Sequence, residues 1–382
     1  MPDRPFRWMM PVRFPFSGLR APTPIAAFAT CAAFAAALVP LGASAAWQVE
    51  ATSSRHADPT PLHRLDIDDV AGQFDPRPGR NLAYMDEQLR VSYQGGRDTW
   101  SLVARSAGKL VGTRDAFDMA RSLETSGTPD RDQRWDVKAT YRSFAGGGVA
   151  WQRDLVLSDR LQGWFGLEAL ALTQFREFEL DGAAAYDAAR REWQFGLQYR
   201  RNDSRLDLPF QDPYDGTGQA LLTRGGLRWA GDGWTGAVAW RDAGRARWRG
   251  VPQQALQLSS STRTYDGDGH VEYKPLLRGG YHQDTLHRSL PGIGTVRVGV
   301  LPRAGMEVGA GGDYLPGFGW LPQLDVRQRI DGGVVSVGYA VHERRLGLAL
   351  DWRGWRLAFG ADRFGDEARS RAFRIGYAWL GD

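Results

Sequence analysis

The chain has almost no cysteine. Its one thiol, Cys31, lies in the N-terminal segment, so disulfide staples and thiol chemistry are excluded from everything after it. Lysine is nearly missing too: Lys109, Lys138 and Lys274 interrupt a basic set made otherwise of arginine. No stretch beyond residue 46 approaches the roughly twenty apolar residues of a membrane-crossing helix. Amphipathic helix spacing is equally scarce, apart from a faint patch between Ala116 and Leu123. The six histidines, His56, His63, His270, His282, His287 and His342, show no zinc-site spacing. A disulfide scaffold and a helical membrane bundle are therefore excluded, and no metal or other cofactor is expected.

What is present begins with an ordered leader. Arg4, Arg7, Arg13 and Arg20 precede an apolar run from Ile25 to Leu41, and Ala43, Ser44, Ala45 and Ala46 follow. Charge, then apolar run, then small residues is the pattern of a cleaved secretory signal peptide. The expected organisation is a signal peptide over 1–46 and one domain over 47–382, with Met1, Met9 and Met10 all open as the start. The leader holds four arginines and Asp3, so most of the net +4 leaves with it. The near-neutral remainder gives no footprint for nucleic acid.

Period-two alternation recurs to the end of the chain. In "RWDVKATYRSF", Trp135, Val137, Ala139 and Tyr141 share one face; in "REWQFGLQYRR", Trp193, Phe195, Leu197 and Tyr199 do. The alternating segments run about 9 to 12 residues, the length a tilted strand needs to cross a bilayer. Aromatics such as Trp234, Trp240, Trp352 and Trp355 sit near segment ends. Short links such as "DGG" at 331–333 and "PRAG" at 302–305 alternate with long ones such as "YLPGFGWLP" and "NDSRLDLPFQDPYDGTG". Some links break the rhythm: "SDR" at 158–160 and His342 to Arg344 are short, and "ELDGAAAYDAA" is long, where the opposite is due. Taking "GGG" at 146–148 and "GDG" at 266–268 as tight turns, the pattern predicts an all-β fold: a transmembrane antiparallel up-and-down β-barrel of 16 to 18 strands.

The last strand carries a class resemblance. Phe373, Ile375, Tyr377 and Trp379 alternate at the C-terminus, followed by Leu380, Gly381 and Asp382. With the leader and the strand rhythm, this chain resembles a porin-like Gram-negative outer-membrane β-barrel protein. The resemblance implies location in the cell outer membrane, contact with its lipid and lipopolysaccharide, and recognition of those four residues by the barrel-assembly machinery. The three residues after Trp379 depart from the usual aromatic end.

With the apolar set outside, the inward candidates are Arg142, Arg200, Arg228, Arg241, Arg297, Arg327, Arg345, Arg356 and Arg374, with Asp136, Glu192, Glu307, Asp325 and Asp351. On lipid, basic residues would cost roughly 2 to 4 kcal/mol each near the midplane. A passive channel for small hydrophilic solutes is the leading function. Alternatives are the barrel of a surface-polysaccharide export or envelope-assembly system, and a barrel-embedded lipid hydrolase using His282, Asp284, His287 and Ser289, which have no supporting motif; no enzyme is expected. "RDAGRARWRG" gathers Arg241, Arg245, Arg247 and Arg249 around Trp248 in an expected outer loop suited to lipopolysaccharide phosphates. "DIDD" (Asp66, Asp68, Asp69) and "QDPYDGTG" (Asp212, Asp215) lack calcium-loop spacing. The link from Val111 to Arg134 is the candidate to fold inward and narrow the pore. Glu87 falls on the outward set with Met85 and Leu89, leaving open a later strand start or contact with a second copy in a homo-oligomer.

Overall fold

A computed structural model describes residues 46–380 except 67–69, 126–128, 207–213, 215, 261–262, 266–270 and 274–275. The expected leader, most of "DIDD", Asp212 and Asp215, and the "GDG" at 266–268 lie outside the described residues. The wall is built from β1 (Ala46–Ala57), β2 (Arg80–Gly95), β3 (Asp98–Thr113), β4 (Gln133–Val156), β5 (Leu161–Asp187), β6 (Glu192–Asp203), β7 (Gly218–Ala230) and β8 (Trp234–Ser259). It continues through β11 (Leu277–Leu290), β12 (Ile293–Arg303), β13 (Met306–Leu315), β14 (Gly319–Ile330), β15 (Gly333–Ala340), β16 (Arg345–Trp352), β17 (Trp355–Ala361) and β18 (Ser370–Leu380). A short pair, β9 (Arg263–Tyr265) and β10 (Val271–Tyr273), stands off it. All wall pairings are antiparallel, and β18 closes on β1, from Ala46 opposite Leu380 to His56 opposite Ser370.

The barrel has fourteen wall positions, not sixteen or eighteen. One half of β5 pairs with β7 and the other with β6, and β8 faces the same two strands, so β6 and β7 share one position. On its other edge β8 pairs with both β11 and β12, which share another. Sixteen strands thus make fourteen positions, and the count of eighteen arises where glycines and small residues inside a strand look like links. Gly146 to Gly148 lie inside β4, "ELDGA" and "AAAYD" inside β5, and "RDAGRARWRG" inside β8. Gly146 and Gly148 mark close backbone packing: a Cβ there would collide with the carbonyls of Ala171 and Ala169 on β5. "SDR", by contrast, is a true tight turn.

Register fixes which face is which. On β3, Trp100 and Leu102 point outward and Val103 and Arg105 inward, with no slip against β2 or β4. The outward set is apolar and exposed: Leu348 is 58% exposed, Phe373 51% and Val298 49%. An apolar surface of this extent, around a wall that closes β18 onto β1, is the surface of a membrane barrel. Aromatic contacts crowd the end with the tight turns and both strand termini, as in Trp355–Tyr377 (4.9 Å), Trp47–Tyr93 (5.2 Å) and Trp229–Trp234 (4.1 Å). Tyr314 and Trp320 (5.7 Å) mark the loop end of the apolar band. The closing strand presents Phe373, Ile375, Tyr377 and Trp379 outward, all exposed.

Beyond that band, β4, β5 and β6 outgrow their neighbours. Their outward faces there carry Trp135, Tyr141, Phe178, Leu180, Phe195, Leu197 and Tyr199, all buried in one cluster. The cluster includes Phe117 and Met119 of helix α1 (Arg114–Glu124) and Phe74. Thr113 caps α1 by accepting from the Ala116 amide (3.2 Å). Helix α1, the folded part of the link from Val111 to Arg134, therefore covers the outer wall instead of entering the pore: Gly112, on the outward side of β3, lies against the Phe117 ring, and the helix buries its apolar stripe there.

Candidate lumen and chamber

Bulges decide where the polar side chains of the longest strand go. On β8 Thr235 and Arg241 point inward. Asp242, at φ 64°, adds one residue to the strand, so Asp242, Ala246 and Trp248 point inward after it. Gly250, at φ 62°, sits at the second irregularity, beyond which Gln253 and Ala255 line the lumen. This places Arg241 and Asp242 together inside the barrel. The arginine cluster around Trp248 is thus no loop: Arg241 faces the lumen, and Trp248 is buried against Phe175 (5.7 Å).

A charged waist crosses the lumen at that level. Arg105 on β3 donates to both carboxylate oxygens of Asp86 on β2 (3.2 Å each) and to Asp242 on β8 (2.5 and 2.8 Å). Arg241 reaches back to Asp86 (2.7 Å), and Arg90 on β2 meets Glu168 on β5 (2.9 Å). Strands β3 and β8 are four wall positions apart, so these pairs tie distant wall segments together. Charge-assisted, bidentate arginine contacts are the strong form of such bonds.

On the loop side of the waist lies a chamber of about 880 Å³. Glu177 is its polar centre, accepting from Arg142 (2.9 Å), Arg288 (2.6 Å) and Asn202 (3.0 Å). Lys109 donates to the Pro316 carbonyl (2.6 Å), which brings the β13–β14 link against β3. Arg345 is held by hydroxyls, with Ser370 at 3.1 Å and Ser54 and Tyr84 at 3.4 Å. Phe144, Leu222, Leu290, Ile293, Leu315 and Leu321 add an apolar strip. On the tight-turn side, Arg297 binds Asp325 (2.9 and 2.7 Å) and Glu307 (2.5 Å), Arg327 binds Asp325 (2.9 Å), and Glu50 takes Arg374 (2.8 Å) with Arg356 at 3.7 Å.

The inward candidates sort accordingly. Arg142, Arg200, Arg241 and Arg345 line the chamber; Arg297, Arg327, Glu307 and Asp325 form one wall network, and Arg356 and Arg374 share Glu50. Arg228 stands opposite Gln162 on β5, and Asp351 opposite Arg356. Asp136 and Glu192 are not brought to the others: Asp136 lies on the part of β4 beyond its pairing with β3, and Glu192 at the β5–β6 turn. Sequence patterning missed Glu50, Arg105, Glu177, Asp242 and Arg288. Glu87 does face outward, where Arg55 donates to it (2.8 Å) with Ser53 nearby (3.3 Å). The hydrolase candidates separate, since His282 lines the chamber while His287 borders a groove on the outer wall.

At the loop end, Asp58 gathers four partners. His56 and His342 each approach it through Nε2 (3.0 Å), Arg77 lies at 2.8 Å and the Leu82 amide donates (2.8 Å). His56, Asp58 and His342 are the one group among the described residues placed to share a metal ion, a grouping invisible in the sequence. The Arg77 guanidinium already neutralises the carboxylate, so the group is built as an ion-paired clasp. Burial pushes the Asp58 carboxyl up, but the hydrogen bonds and charge of His342 and His56 outweigh it and hold it well below the usual carboxylate range.

No family model matches the chain, and no curated protein matches it. Among solved structures it is similar to a TodX deltaS2S3 mutant monoaromatic hydrocarbon channel (9% identity, 91% of this chain and 92% of that one, TM-score 0.40). It is also similar to the toluene transporter TodX of P. putida (9% identity, 89% of each chain, TM-score 0.38). A third is the translocator domain of the autotransporter NalP from Neisseria meningitidis (9% identity, 95% of this chain and 99% of that one, TM-score 0.30). Likeness at these identities concerns the barrel fold alone.

Proposed function

We propose that this protein is an outer-membrane channel through which small hydrophilic solutes diffuse, with the chamber and the waist setting what passes. The observation that carries this reading is the lumen itself. Its chamber is lined by cations and carboxylates in near balance, and it leads to a waist whose charges are mutually paired. Paired charges of both signs create a transverse field without a large net potential, so neutral and zwitterionic solutes are favoured over strongly charged ones. The apolar strip from Phe144 to Leu321 supports a second reading, in which the solute also has an apolar body.

Swelling of proteoliposomes tests both. With refolded protein, pentoses and small zwitterionic amino acids should enter faster than hexose disaccharides. Swelling no faster than protein-free vesicles for every hydrophilic solute would refute the proposal. Faster entry of aromatic amino acids than of glycine would favour the second reading.

A further inference from the structure

The outer wall carries one feature that the channel does not use. Between the bulges at Asp242 and Gly250, Ala246 and Trp248 are buried inward, which forces Arg245, Arg247 and Arg249 outward, where all three are exposed. None of the three pairs with a carboxylate among the described residues, unlike Arg241 four residues earlier. They stand on the loop side of Trp240 on the same strand, which is 39% exposed among lipid-facing Val238 and Leu227. A basic row just past the aromatic edge of the apolar band lies at headgroup level.

A groove adjoins the row. Hydrogen-bonded register places Val149, Ala169, Leu221 and Arg245 side by side, and next to them Gly147, Ala171, Gln219, Arg247 and His287. The small residues leave a depression of about 610 Å³ on the outer wall, bordered by Arg245, Arg247 and His287. An apolar depression open to lipid and capped by guanidinium groups fits one kind of occupant, an acyl chain attached to a phosphorylated head.

We propose that this face binds a multiply acylated, bis-phosphorylated glycolipid of the lipid A type from the outer leaflet. Its phosphates lie on Arg245, Arg247 and Arg249, and one acyl chain lies in the groove beside Leu221. Alternate residues of a strand are about 7 Å apart, so the three arginines span roughly 13 Å. A single phosphodiester cannot reach across that row, whereas two phosphates held apart by a sugar can. The site is independent of whether the lumen conducts.

The test is native mass spectrometry of the delipidated, refolded barrel, titrated separately with bis-phosphorylated lipid A, its monophosphoryl form and phosphatidylglycerol. The bis-phosphorylated lipid should bind roughly tenfold tighter than either alternative. Combined R245Q, R247Q and R249Q should remove that preference, while R160Q at the opposite rim should keep it. Leu221→Trp, which fills the groove and leaves the arginines, should weaken lipid A binding at least severalfold. Equal binding of phosphatidylglycerol and lipid A by the wild type would overturn the proposal, as would a triple variant that retains the preference. Should the triple variant not refold, the comparison of the three lipids on the wild type and the Leu221→Trp result decide the matter.

Discussion

Arg105 holds the waist, and its removal has a calculable cost. The side chain is only 6% exposed, and its guanidinium hydrogen-bonds two carboxylates, Asp86 and Asp242, with a third, Glu168, at 4.0 Å. Deleting one member of a buried ionic group typically costs 3–5 kcal/mol, because the remaining charges lose their compensation. Arg241 stays behind, at 2.7 Å from Asp86 and 3.4 Å from Asp242, so one cation then faces two anions. Arg105→Ala should therefore lie near the low end, about 3 kcal/mol. Asp242→Asn in the Arg105→Ala background removes the surplus negative charge, so the double variant should be more stable than the sum of the single losses by about 1 kcal/mol or more. The assay is urea unfolding of the refolded barrel in lipid vesicles, followed by tryptophan fluorescence. A loss below about 1 kcal/mol for Arg105→Ala, or strict additivity with Asp242→Asn, would show that water already screens the waist and refute the reasoning.

Three further outcomes follow from other parts of the barrel. Because the Asp58 carboxyl is depressed in the fold, its stabilisation is lost as pH falls from its unfolded value near 4 through the lower folded value; the stability gap between wild type and Asp58→Asn should shrink as pH falls below about 4, and a gap that does not shrink there would contradict the ion-paired clasp. Gly250→Val forces a β-branched residue to φ 62° and should cost about 1–2 kcal/mol, readable in the same unfolding assay, whereas Gly280→Val, on β11 at a position where a Cβ meets open space, should cost less. Replacing Tyr377 and Trp379 with serine should lower the fraction of heat-modifiable barrel recovered from the outer membrane while leaving refolding in detergent intact; equal recovery would remove these residues from the assembly signal.

How legible the molecule is in its sequence depends on the strand. From β12 to β18 one face is apolar and the other polar, so the outward facing of Phe373, Ile375, Tyr377 and Trp379 and the inward facing of Arg374 follow from alternation alone. Around Arg105 the pattern fails: Leu102, Ala104 and Leu110 lie outward, and Val103, Ala107 and Val111 inward, so both faces are apolar and the buried arginine has no periodic signal. On β8 two bulges shift the inward set, which no fixed period describes. Strand number is hard to read for a related reason: glycines packed against a neighbouring carbonyl, such as Gly146 and Gly244, look like turn glycines, and no local pattern marks two strands that share one wall position. Glu87 was legible in facing outward but not in its reason, since Arg55 comes to it from the adjacent strand.

Single-channel recording in planar bilayers addresses the channel most directly. Refolded, heat-modifiable wild-type protein should give discrete current steps, and Arg105→Ala should give larger ones with a shift toward cation selectivity, because its waist loses both a side chain and a positive charge. Silence from both proteins, or steps of identical size and selectivity, would contradict a solute path through this waist.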